Sequence, residues 1–336
     1  MSRRRFLTVL LIIMILILAA LVALFVTLRQ ATNAPIPVES PGVKHVRTYY
    51  GWGNQDDQLF KQPFDVTFRG GNYYVVDKGL GQVIVLSPAG QLVRKIGSPG
   101  NKPDQFAAPT GIDVDPQGNV YVTDAIQKRI LVFNNQGQYE REVKFKDVPL
   151  ALHIDGKRML MTTDKSVKIL SVPGLNELAS WGTQGKGTEQ FDHPNGIAID
   201  PQSGTLYVSD GNNLRVKAMD QQGNVLWIYG TPPQGMNDLS PDRKFGLAGG
   251  LTYSNGYIWV ADPLDSVIHV LDKKGQEVAQ VGDVGDLDGQ FSYPTTIIPT
   301  DGQRFSVAEW ANGRLQVLEI DPPRLIENWH AANQTG

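Results

Sequence analysis

Most of this chain alternates short apolar runs with Gly-, Pro-, Asn- and Asp-rich punctuation, the pattern of many brief β-strands joined by tight turns. One stretch breaks that pattern. After Ser2, Arg3, Arg4 and Arg5 an uncharged run extends from Phe6 to Leu28, 23 residues with no periodic polar face. As a helix it measures about 34 Å at roughly 1.5 Å per residue, long enough to span a bilayer and longer than a cleavable signal core. Three arginines before it and only Arg29 just after it predict a cytoplasmic N-terminus (residues 1–5), with everything beyond the span on the outer side. Residues 29–43 carry Pro35, Pro37 and Pro41, show no apolar periodicity, and read as a tether.

The rest of the pattern repeats with a period of about 46 residues. The segment from Phe60 through Pro63 to Val66 returns from Phe106 through Pro109 to Ile112, from Phe191 through Pro194 to Ile197, and from Phe291 through Pro294 to Ile297. Degenerate copies stand at Val148–Leu152 and Leu247–Leu251. A second marker, an apolar strand ending in an acid, occurs six times, closing on Asp77, Asp124, Asp164, Asp210, Asp262 and Glu309. A third apolar run, a Gly turn and a last strand follow most copies. Four short strands per unit make a propeller blade, and six units close a ring in which each blade buries both faces against its neighbours. The expected fold is therefore all-β: a six-bladed β-propeller over residues 44–330, preceded by one transmembrane helix (6–28) and followed by a tail (331–336). Both Val46–Tyr50 and Leu325–Trp329 read as outer strands. The N-terminal one is expected to complete the last blade, leaving the other peripheral.

These motifs resemble NHL repeats. The resemblance rests on the Phe-x-x-Pro-x-Gly-Ile opening, the Tyr-Val-x-Asp strand, and the run Asp210, Gly211, Asn212, Asn213, Leu214, Arg215, Val216, with Leu214 where the family has His. Glu309 to Leu315 follows the same plan, whereas blades three and five lack the Arg. The resemblance implies a propeller that binds through the face carrying the blade openings.

Composition narrows the function classes. A formal net charge of −3 gives no general field for nucleic acid. Without cysteine there is no disulfide, thiolate metal site or thiol nucleophile. Antiparallel strand order places the blade openings and the six acids on one face. The ring of Asp77, Asp124, Asp164, Asp210, Asp262 and Glu309 reads as turn caps rather than as a metal site, with Arg129, Arg215 and Arg314 five residues on as partners for three of them. On the same face stand His193 and Asn195. Gln62, Ala108 and Tyr293 fill the positions equivalent to His193, so a cluster of metal-binding histidines cannot form there. Lactonase-like propellers hold a calcium with Glu, Asn and Asp from different blades. Here Asn195 and Asp210 share the face but no acid stands in for the first ligand, so no metal or cofactor is expected.

The longest irregular segment, Thr231–Phe245, joins blades four and five on that face and carries Arg243 and Lys244. Trp52, Tyr293 and Trp310 offer aromatic anchors around the rim. No catalytic motif is present. The reading that follows is a membrane-anchored, extracytoplasmic protein-binding module, a subunit of a membrane complex, with no nucleic-acid partner. The competing readings are a hydrolase or lyase working in the central channel, if His193, Asn195 and Asp210 converge on a cation, and a cell-wall glycan binder using the aromatic residues.

Overall fold

The computed structural model describes residues 42–50, 59–235 and 243–333. The apolar run 6–28, most of the tether, Trp52 and residues 334–336 lie outside them. Among the described residues no helix is long and apolar enough to cross a membrane.

Six antiparallel four-stranded sheets form the blades. Their inner strands are Pro63–Arg69, Pro109–Val114, Pro149–Asp155, Pro194–Ile199, Leu251–Ser254 and Pro294–Pro299. Strands run outward in chain order, except in the last blade. There Val43–Tyr50 supplies the outer strand, pairing antiparallel with Arg314–Ile320, with Val43 opposite Ile320 and Tyr50 opposite Arg314. N-terminal closure is thus the arrangement observed. The middle strands, such as Val120–Asp124 and Arg129–Phe133, are buried throughout because neighbouring blades cover both faces.

The core is divided into six wedges, one between each pair of adjacent blades. The motif phenylalanines Phe60, Phe106, Phe191 and Phe291 plug these wedges, each at most 1% exposed. Phe245 does the same for blade five. It is therefore the motif residue of the fifth copy and not part of a free loop.

The acids hold each blade opening in place. Asp77 accepts the amides of Lys61, Gln62 and Leu80; Asp124 those of Ala107, Ala108 and Gln127; Asp262 those of Gly246, Leu247, Leu264 and Asp265. Each carboxylate thus ties the incoming loop to the turn after its own strand. Arg215 Nε donates to Asp210 at 2.9 Å and Arg314 Nε to Glu309 at 2.7 Å, while Arg129 lies 3.6 Å from Asp124. The same guanidinium groups donate to carbonyls of the incoming loop, always including the residue before the motif Phe: Gln105, Gln190 or Gln290. Blade three differs by one residue. Thr163, not Asp164, sits opposite Pro149, the register that the acid holds elsewhere; Asp164 lies just past the strand and caps only the Val148 amide.

One sequence expectation is overturned. Leu325–Trp329 is not a strand but part of a helix, Pro322–Asn333. Two prolines open it, where their missing amides cost nothing, and Asp321 accepts the amides of Arg324 and Leu325 through its side chain and carbonyl. Leu325 and Trp329, one helical turn apart, go into the wedge between blades five and six. The Asp321 amide also donates to the Gly42 carbonyl, which fastens the chain's entry to its exit.

In blade five Val267 stands in the Arg position, and a buried histidine two residues on, in the register of Lys217 and Gln316, faces the acid instead. His269 Nδ1 lies 2.6 Å from Glu277, which also accepts the Tyr229 hydroxyl, and Nε2 lies 3.4 Å from Asp262 without hydrogen-bond alignment. Burial alone would push the imidazole down. The two carboxylates outweigh it and raise the group to about 10.

Two outcomes follow from these contacts. Arg314→Ala should cost about 3–5 kcal/mol in chemical denaturation, since it leaves Glu309 buried and unpaired, whereas Arg304→Ala, at an exposed pair with Asp301, should cost at most about 1 kcal/mol. Stability drawn from the His269 charge is complete below pH 6.5, its ordinary value, and is lost as pH rises toward about 10. His269→Gln should therefore lower the melting temperature most at pH 6 and flatten its decline across that window. Parallel calorimetric profiles for the two proteins would contradict the ion triad.

Candidate functional site

Two places on the propeller merit chemistry: the axial channel and the face where the acids anchor the blade openings. The pairing registers stack the inner strands in level rings. One ring comprises Asp65, Gly111, Ala151, Gly196, Gly250 and Thr296; the next comprises Thr67, Asp113, His153, Ala198, Thr252 and Ile298. Glycine and alanine keep the first ring narrow. A Cβ on Gly196 would lie 2.6 Å from the Leu251 nitrogen, and one on Gly111 would lie 2.4 Å from the Leu150 carbonyl. The channel cavity these rings surround measures about 70 Å³. That is room for a few waters.

The channel carboxylates act as staples between blades. Asp65 accepts the Ile112 amide of blade two at 2.9 Å, and Asp113 accepts the Ile154 amide of blade three at 2.7 Å. Burial raises the Asp65 carboxyl to about 7, helped by repulsion from Asp113 and opposed by the amides of Ile112 and Val66. Asn195 lines the same cavity, donating to the Ala248 carbonyl at 3.2 Å.

His193, Asn195 and Asp210 do not converge. Asp210 is fully buried and occupied by the Asp192 amide, Asn213 and Arg215. The His193 side chain turns away onto the rim, where Nδ1 meets Asp192 at 2.8 Å and Asn212 donates to the same carboxylate oxygen. These bonds hold the Asp192 carboxyl below its usual range even though partial burial opposes them. Among the described residues no three His, Asp or Glu side chains gather in a metal-binding arrangement.

The face itself is more informative. Tyr293 and Trp310 meet with ring centroids 5.4 Å apart, and the Trp310 amide donates to the Tyr293 carbonyl. His193 and Tyr293, at the same position of blades four and six, both hold left-handed backbone, at φ 50° and 54°. Such residues persist where the surroundings over-determine them, at an expense of roughly 1–3 kcal/mol each. Arg243 pairs with Asp265 at 3.2 Å, and Lys244 is exposed beside it. Trp52 lies outside the described residues.

Side chains that the sequence reading passed over complete this sector. Leu264, Val284 and Leu287, on loops of blades five and six, and Tyr50, at the end of the closing strand, are 47–67% exposed on the face that carries Trp310 at 37%. Their signal was the run Asp283 to Asp288, which alternates acids with apolar residues where a blade opening should be polar.

Comparison with known proteins supports this architecture. A family model for a six-bladed β-propeller matches residues 53–166, and the NHL repeat model matches residues 191–219. NHL repeat-containing protein 3 of Mus musculus is 29% identical over 231 residues, covering 61% of this chain and 62% of the relative. The human E3 ubiquitin-protein ligase NHLRC1 is 26% identical over 155 residues, covering 45% of this chain and 35% of the relative. The chain thus spans less than two thirds of the length of the curated relatives it matches. Among solved structures, virginiamycin B lyase from Staphylococcus aureus superposes with a TM-score of 0.56 at 12% identity, covering 84% of this chain and all of that one. A Bacteroides thetaiotaomicron protein of unknown function reaches 0.63 at 17% identity, covering 84% of this chain and 76% of that one. At such identities the likeness speaks for the fold alone. The chain is a six-bladed β-propeller carrying NHL repeat sequence.

Proposed function

We propose that this protein is a membrane-anchored, extracytoplasmic propeller that presents the face of its blade openings to a protein partner, as a subunit of a membrane complex. The observation that carries this reading is the division of labour between the two faces. The described chain enters the ring at Gly42, beside Asp321 and Leu325 on the face opposite the blade openings. A tether from the proposed span at residues 6–28 would join the propeller on the face away from the openings. The likeness to NHL-repeat proteins agrees with a binding role. The channel carboxylates Asp65 and Asp113 are engaged as staples between blades, which weighs against chemistry on the axis.

Two measurements test the two halves of the proposal. A C-terminal alkaline phosphatase fusion of the full chain should be active in cells and remain with carbonate-washed membranes, and deletion of residues 6–28 should abolish both. An inactive phosphatase with a fluorescent cytoplasmic reporter at the same position would refute outward placement. Purification of the full chain in mild detergent should bring down a stoichiometric companion that is lost when Tyr293 and Trp310 are both changed to Ser. A monodisperse protein recovered alone would refute a stable complex.

A further inference from the structure

Twelve large apolar side chains are notably exposed among the described residues, and five of them lie on the blade-opening face of blades five and six: Val284 and Leu287 on the opening loop of blade six, Leu264 and Trp310 on the turns after the second strands, and Tyr50 at the end of the closing strand. Most of the others lie on outer strands at the rim, where isolated exposure is ordinary. Val284 and Leu287 are interleaved with carboxylates, while the blade-five opening adds one exposed cation, Lys244. Asp283, Asp286 and Asp288 are all exposed, and neither Asp283 nor Asp286 forms an ion pair among the described residues. Across the ring on the same face the chemistry reverses. Blade two and the opening of blade three present Lys102, Lys128 and Lys146 against one exposed acid, Asp104, with Ile126 as the large exposed apolar side chain there.

The acidic, apolar sector is rigid. Arg314 donates to the carbonyls of Asp286, Leu287 and Gln290, which fixes the loop from beneath. Its guanidinium also lies 6.0 Å from the Tyr50 ring, and Asp288 accepts the hydroxyls of Tyr50 and Thr48. The loop therefore presents its side chains in a set order before any partner arrives, which lowers the entropy lost on docking.

Resting on the reading of this face as protein-binding, we propose that the opening loop of blade six, residues 282–293, and the turns carrying Leu264 and Trp310 form the docking site, and that the occupant is a partner segment in which Lys or Arg side chains alternate with apolar ones. Its apolar side chains cover Leu287, Val284 and Trp310, and its cations meet Asp283 and Asp286. Charge complementarity commits the occupant. A segment bearing carboxylates would meet like charge at every acidic position, and would be drawn instead to the lysines across the ring.

A photo-reactive phenylalanine analogue placed at Leu287, at Ile126, or at Leu226 on the rim of the full chain, in its native membrane, tests the assignment. The Leu287 position should yield a heterologous adduct whose crosslinked peptide contains Lys or Arg flanked by apolar residues. The purified partner should then bind Asp283→Lys/Asp286→Lys at least tenfold more weakly than the unmodified chain, and Lys102→Glu/Lys128→Glu with unchanged affinity. An acidic crosslinked segment, an adduct only with a second copy of this chain, or equal affinity for the charge-reversed form would overturn the assignment. Adducts at Ile126 alone would move the site across the ring while keeping the protein-binding reading. Adducts at neither position, or at Leu226 alone, would sink both.

Discussion

Five of the six blades depend on a carboxylate at the end of the second strand that receives backbone amides, and in blade three Asp164, one residue past the strand, receives one. Those amides come from a loop that arrives from the previous blade, so the bond joins segments about 16 residues apart in sequence, such as Lys61 and Asp77. A loop that must cross from one sheet's outer strand to the next sheet's inner strand has unpaired amides by construction. Without the acid those donors would be buried and unsatisfied beside the wedge-filling phenylalanines. Because the acid fixes the opening, it also fixes the surface that the opening presents. The architecture that closes the ring is thus the architecture that orders the face carrying the blade openings.

The same logic explains the blade-to-blade variation. Where the fifth residue after the acid is Arg, as at 129, 215 and 314, the guanidinium reaches back to the carbonyls of the incoming loop, and loop and strand are tied through both donors and acceptors. Blade one substitutes Gln82, which donates to the Gly97 carbonyl. Blade five turns to His269 between two carboxylates, and blade three, with a short opening and Thr163 in the acid's register, does without. The departures are local solutions to one requirement.

Much of this was legible in the sequence because repetition averages over noise. The strand ends, the acids and their arginine partners recur at fixed spacing, so the blade count and N-terminal closure could be read from residues alone. Three features resisted. The fifth motif phenylalanine, Phe245, was taken for loop because the opening before it is long, although it precedes Phe291 by one full period. The register of blade three hid behind a neighbouring Asp164. Leu325 and Trp329 fit a strand's alternation as well as a helix's turn, and only the prolines before them distinguish the two. On the face itself, Asn195 joined the channel instead of the rim. The exposed sector of blades five and six depends on which loops the ring brings together, a property of the closed fold and not of any one repeat.

The account stands on the claim that this face, and specifically the loops of blades five and six, meets the partner. Hydrogen–deuterium exchange on the full chain in detergent, alone and with its co-purified companion, addresses that claim directly. Slowed exchange is expected in residues 282–293 and 310–313, with the opposite-face turns at 134–138 and 172–176 unchanged. Protection confined to those opposite turns would place the partner on the face where the described chain enters the ring and contradict the account.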